Sequence, residues 1–84
     1  MPDVYQQWIK TLYQMTKLDL HGVRHAEVDR IVEDFIYMNQ GEMPLEIICG
    51  NSDKMIKLVH GVTDRIGIET HMYRYGTIVA RRWK

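Results

Sequence analysis

Residues 3–15 place Val4, Trp8, Ile9, Leu12, Tyr13 and Met15 at helical spacing, with Asp3 positioned as an N-cap. The next five residues, KLDLH at 17–21, alternate strictly and predict a short strand. Leu18 and Leu20 then face a core, while Lys17, Asp19 and His21 share the opposite face. From Ala26 to Asn39 the apolar positions Val28, Ile31, Val32, Phe35 and Ile36 form one helical stripe, with Glu27, Asp29, Arg30, Glu33 and Asp34 on the other side. MPLEIIC at 43–49 reads as a buried strand that stops at Gly50. Asn51 or Ser52 can cap a second helix over 52–66, whose inner stripe is Met55, Leu58, Val59, Val62 and Ile66. Gly61 inside that helix costs about 1 kcal/mol relative to Ala. Finally IETHMY and TIVARRW predict two strands joined as a hairpin at Arg74, Tyr75 and Gly76.

After the first helix the order is therefore β-α-β-α-β-β. A strand–helix–strand crossover is right-handed and makes its two strands parallel. The expected architecture is a four-stranded mixed sheet with the helices at 26–39 and 52–66 on one face. If strands 17–21 and 43–49 are neighbours, their carboxyl ends lie side by side, where ligands of such sheets tend to bind. His21–Gly22 and Cys49–Gly50–Asn51 should then flank one surface. The chain divides into an N-terminal helix extension at 1–16 and a single domain at 17–84.

The 84 residues suffice for one small domain, and 45% hydrophobic with 26% charged residues is ordinary globular usage. Eleven Lys and Arg balance eleven Asp and Glu, which argues against an all-over polybasic protein but leaves a local basic patch open. A lone cysteine, Cys49, cannot build an internal disulfide and suits a reducing compartment. No apolar run reaches the roughly 18 residues of a membrane span, and the N-terminus lacks the order of a secretory signal. These features predict a soluble, cytoplasmic domain with no membrane partner.

LDLHG at 18–22 is the most specific string in the chain. Followed by an acidic amphipathic helix and a strand ending in a Gly turn, it resembles the small MutS-related (Smr) domain over about residues 17–82. The resemblance implies a β-α-β-α-β-β two-layer α/β sandwich similar to the C-terminal domain of translation initiation factor 3. It also implies nucleic-acid binding, with nicking of DNA or cleavage of RNA in several members. The family's second motif, His or Thr followed by Gly-x-Gly, is here Cys49–Gly50–Asn51–Ser52, with the first Gly kept and the second missing. TIVAR at 77–81 fits the family's last strand.

The residues of the first motif support chemistry on their own terms. Two apart on a strand, Asp19 and His21 emerge on one face about 7 Å apart at Cβ. Such a pair suits proton transfer or metal-assisted attack on a phosphodiester, and Gly22 lets a bulky ligand approach. A polar outer strand face is the plain alternative. At the second loop, free N–H groups over 51–54, the positive helix end and the bare Gly50 backbone favour an anion, with Ser52 as cap and Lys54 and Lys57 one turn apart. Alternation turns the Cys49 side chain toward the core rather than into a nucleophilic site. His21, His25, His60 and His71 lack the spacing of a zinc set. Tyr73, Arg74 and Tyr75, then Arg81, Arg82, Trp83 and Lys84, interleave aromatic and basic residues, as a surface for phosphates and exposed bases would.

Three functions compete: a metal-assisted endonuclease using Asp19 and His21, a nucleic-acid-binding module, and an interaction domain with no nucleic-acid role. The expectation is salt-sensitive binding of DNA or RNA through Gly22, Gly50, Asn51, Ser52, Lys54, Lys57 and Arg81. Cleavage is left open, with Mg²⁺ or Mn²⁺ as the ion that would assist it. The protein is expected as a monomer or a weak homodimer through its N-terminal helix.

Overall fold

The computed structural model describes residues 15–84, so the predicted N-terminal helix lies outside the described residues apart from its last position, Met15. The elements are β1 (Lys17–Asp19), α1 (His25–Met38), a 3₁₀ turn (Gln40–Glu42), β2 (Leu45–Ile48), α2 (Asp53–Ile66), β3 (Ile68–Arg74) and β4 (Thr77–Trp83). They form an α+β fold whose mixed sheet has the order β1-β2-β4-β3. β1 and β2 are parallel neighbours, as the crossover through α1 requires. β4 lies antiparallel to both β2 and β3.

One sheet face and the two helices share a single core. Leu20, Leu45, Ile47, Ile68, Ile78 and Ala80 meet Val28, Val32 and Ile36 from α1 and Met55, Ile56, Val59 and Val62 from α2. Full burial of each large aliphatic side chain contributes about 1.5–3 kcal/mol. The helical stripes thus face where their spacing pointed, with two adjustments. In α2 the buried line runs through Ile56 and Thr63, while Leu58 and Ile66 flank it. Thr63 tolerates full burial because its hydroxyl donates to the His60 carbonyl at 3.2 Å.

Strand β1 is shorter than the alternation of KLDLH implied: it ends at Asp19. Leu20 continues the pairing only through its N–H to the Ile48 carbonyl, and Val23 N–H closes a turn onto the Leu20 carbonyl, both at 3.0 Å. Gly22 takes φ +80° in the third position of that turn, a conformation that L side chains rarely adopt. His21 therefore sits in a turn, not on the strand beside Asp19, and the predicted pairing of the two on one strand face is corrected accordingly.

The hairpin between β3 and β4 is fastened to the end of β2. Gly76 has φ +89°, and a Cβ there would stand 2.3 Å from the Gly50 carbonyl oxygen. Two glycine experiments follow. Gly76→Ala should destabilise the fold by at least about 2 kcal/mol, from the left-handed backbone and the clash together. Gly61→Ala, on the exposed side of α2 with open space around it, should stabilise by up to about 1 kcal/mol. Chemical denaturation of the two variants checks both, and equal effects would contradict the contact between the two turns.

Candidate nucleic-acid interface

Three loops converge where β1 and β2 end, β3 ends and β4 begins. Across the sheet they run in the order His21–Gly22, Gly50–Asn51–Ser52, Gly76 and Arg74. With three strand spacings of about 4.8 Å, this edge is about 14 Å wide. The N-termini of α1 and α2 open onto it, because each helix follows the carboxyl end of a parallel strand.

Each loop is held by local bonds that its sequence explains. Asp19 Oδ1 accepts the His21 N–H at 2.9 Å, the Asx arrangement that an acid two residues ahead of a turn provides. In the second loop, Cys49 N–H donates to the Gly76 carbonyl at 2.7 Å, extending the β2–β4 pairing by one residue. Ser52, not Asn51, caps α2, accepting the Met55 N–H on Oγ at 3.1 Å. In the third loop, the Tyr75 hydroxyl donates to Asp53 Oδ1, and that bond pushes the phenol pKa up. Asp53, at the first turn of α2, is thus linked to the hairpin.

Cys49 is buried at 7% exposure, with its side chain on the core side beside Leu45 and Ile47. Burial pushes its thiol up to about 11, so it stays protonated and unreactive near neutrality. The loop after β2 therefore begins on a core thiol.

The charges on this edge are arranged unevenly. Among the described residues, Lys17, Arg30, Arg65, Arg81 and Arg82 each face a carboxylate. Arg24, Lys54, Lys57 and Arg74 form no ion pair with another described residue, as does Lys84 at the far end of β4. The first four are all exposed and lie on the three loops or the first two turns of α2. The structure thus brings together Asp19, His21, Gly22, Gly50, Asn51, Ser52, Lys54 and, one turn further along α2, Lys57.

Arg81 does not belong with them. It lies four residues along β4 from Thr77, about 13 Å away at the usual strand rise, and it faces Glu69 at 3.9 Å. The Glu69 carboxyl is held below its ordinary range, chiefly by the Arg82 hydrogen bond. Sequence spacing did not reveal that Arg24 and Arg74 join the edge. Arg74 was legible as a hairpin residue, but its neighbourhood with Gly50 depends on β4 inserting between β2 and β3.

Among the described residues no three or more His, Cys, Asp or Glu side chains converge to hold a metal ion. No described helix is long and apolar enough to cross a membrane. No family model matches the chain, and comparison with curated proteins and with solved structures finds no match either.

The thiol gives a test of the loop's packing. A folded pKa raised from 9.0 to about 11 means that stability is fully present below pH 9 and is lost as pH rises toward 11. That loss should reach about 2–3 kcal/mol and be missing from Cys49→Ala, which is less stable than wild type at pH 7. Denaturation at several pH values measures it, and parallel curves for the two proteins would refute the buried thiol.

Proposed function

We propose that this chain is a small Smr-like nucleic-acid-binding domain, similar to the C-terminal domain of translation initiation factor 3, that holds DNA or RNA against its three-loop edge. What carries the reading is the segregation of charge. Among the described residues, Lys17, Arg30, Arg65, Arg81 and Arg82 face carboxylates, whereas Arg24, Lys54, Lys57 and Arg74 are open to solvent on one edge. Backbone phosphates complement that arrangement, and each contact releases condensed counterions. The N–H groups at the start of α2 add donors for a phosphate oxygen. LDLHG, from which the resemblance comes, supplies the neighbouring turn.

Within this reading His21 is the candidate acid–base group, exposed on the turn beside Gly22. Asp19 holds the turn through the His21 N–H, so it positions the imidazole's backbone and is not itself the proton carrier. Among the described residues no three His, Cys, Asp or Glu side chains group as a metal ligand set.

Fluorescence anisotropy with labelled branched and single-stranded DNA and RNA tests the proposal. Binding should be in the micromolar range. With three phosphate contacts it should weaken about 20- to 40-fold between roughly 50 and 200 mM salt. Neutralising Lys54, Lys57 and Arg74 together should abolish most of the affinity. Neutralising Arg30, Arg65 and Arg82, an equal change in net charge, should leave it nearly intact. Equal losses from both triple variants would show diffuse attraction instead of a site. Absence of binding by the wild type would favour an interaction domain without nucleic acid. Incubation with Mg²⁺ or Mn²⁺ tests cleavage in the same samples, and where a substrate is cut, His21→Ala should slow it about a hundredfold.

A further inference from the structure

The sheet face opposite the two helices has its own chemistry, toward the end of β4 that lies away from the loop edge. The register sets Glu69 opposite Arg82 but Thr70 opposite Ala80, so Arg81 is an extra residue on β4, a β-bulge. Regular alternation would send neighbours to opposite faces. The bulge suspends it here: Arg81 and Arg82 both reach the Glu69 carboxylate, at 3.9 and 2.6 Å. Two guanidiniums, both more than half exposed, thus share one face and one counter-charge. Arg82 uses its Nε on Glu69, which leaves its two terminal nitrogens to donate elsewhere.

A hollow of about 370 Å³ opens beside this pair. Its lining is apolar at Met15, Pro44 and Val79, aromatic at His71 and Tyr73, and cationic at Arg81 and Arg82. His71 and Val79 are direct partners across β3 and β4. Glu46, the partner of Val79 on β2, faces Lys17 at 3.9 Å, so its charge is met by that lysine. Hollows that hold small ligands begin at about 300 Å³. An apolar ligand would leave the surplus guanidinium charge unanswered, and a bare anion would leave Tyr73 and Val79 uncovered. A flat ring that carries a phosphate meets both needs. Guanidiniums bind phosphate oxygens in pairs, and bases stack on tyrosine and arginine planes.

We propose that this hollow binds a nucleoside 5′-monophosphate, its base against Tyr73 and Val79 and its phosphate held by Arg81 and Arg82. A phosphate monoester carries close to two charges near neutrality, which suits a guanidinium pair better than the single charge of a phosphodiester inside a strand. The site lies on a different surface from the loop edge. It stands whether or not that edge holds nucleic acid.

Titration of the isotope-labelled full-length protein with AMP, followed by its amide NMR signals, tests this. Binding should saturate below about 1 mM, with the largest shifts at residues 71–73 and 79–82. Adenosine and ribose 5-phosphate, each lacking one half of the ligand, should bind at least about fivefold more weakly. Arg81→Gln should weaken AMP about tenfold and Tyr73→Ala about fivefold or more. Tyr73 is 71% exposed and Arg81 is also at the surface, so both variants should keep the dispersed spectrum of the folded protein. A dinucleotide with a 5′-phosphate separates the two sources of the ligand: weaker binding than AMP assigns a free nucleotide, tighter binding a strand end. Equal affinity for AMP and inorganic phosphate would overturn the proposal, leaving only an anion patch. Full affinity in either variant, or shifts confined to the loop edge, would place the nucleotide elsewhere. Failure of AMP and the dinucleotide alike to saturate would refute the site.

Discussion

The four residues Leu45–Ile48 bond on both flanks, parallel to β1 and antiparallel to β4. Everything at the loop edge depends on that double pairing. The parallel side brings the Leu20–Val23 turn level with the end of β2, and the antiparallel side brings the hairpin turn level with it. The Cys49 N–H to Gly76 bond and the lack of a side chain at Gly76 then lock two of the loops in contact. A strand this short has few hydrogen bonds of its own. Its place is fixed by the burial of Leu45 and Ile47, both fully enclosed by the helices. Hydrophobic burial therefore sets a geometry in which the exposed polar loops only need to close.

The same constraint orders the charge. In the helices, carboxylates and guanidiniums pair within one helix or across the two, as Arg30 does with Glu27 and Arg65 with Glu33. On the last strands, Glu69 pairs with both Arg81 and Arg82 and offsets one of their two charges. Among the described residues, five cations stand outside ion pairs. Four of them, Arg24, Lys54, Lys57 and Arg74, fall where the parallel strands end and the helices begin, and the fifth, Lys84, lies at the far end of β4. Exposed surface pairs contribute little to stability, about 0–1 kcal/mol. Their consequence here is a different one: they compensate charge along the helices, while at the loop edge the four cations Arg24, Lys54, Lys57 and Arg74 outnumber the carboxylates of Asp19 and Asp53. Composition alone, with equal numbers of acids and bases, averages this asymmetry away.

Much of the architecture was legible because its elements have clean periods. Val28, Val32 and Ile36 at helical spacing and Leu45 and Ile47 at strand spacing are all fully buried. The crossover rule then gave the parallel pair. The site was legible to the extent that it rests on strand ends, which accounts for His21–Gly22 and Gly50–Ser52. Arg81 lies about 13 Å from the loops, the separation that its place four residues along the expected last strand implies. Arg74 and Tyr75 were recognisable as a turn, but their meeting with Asp53 and Gly50 needs the strand order. Leu20 looked like strand by alternation, and a backbone turn begun by the Asp19 side chain overrode that pattern.

That override bears on what the spacing of Asp19 and His21 means. Two residues apart is the separation at which strand neighbours share a face, and it is equally the separation at which an aspartate caps the amide of a following turn. The second geometry is the one adopted. Asp19 then fixes the backbone that presents His21, Gly22 at positive φ lets the turn close, and the imidazole is carried outward with Arg24 and His25 close behind it in the chain. An acid, a histidine and a glycine in this order therefore need no shared chemistry to be useful together. Their first effect is to build a rigid exposed turn at the end of a parallel strand, and any action on a phosphodiester would draw on that turn's position beside the unpaired cations.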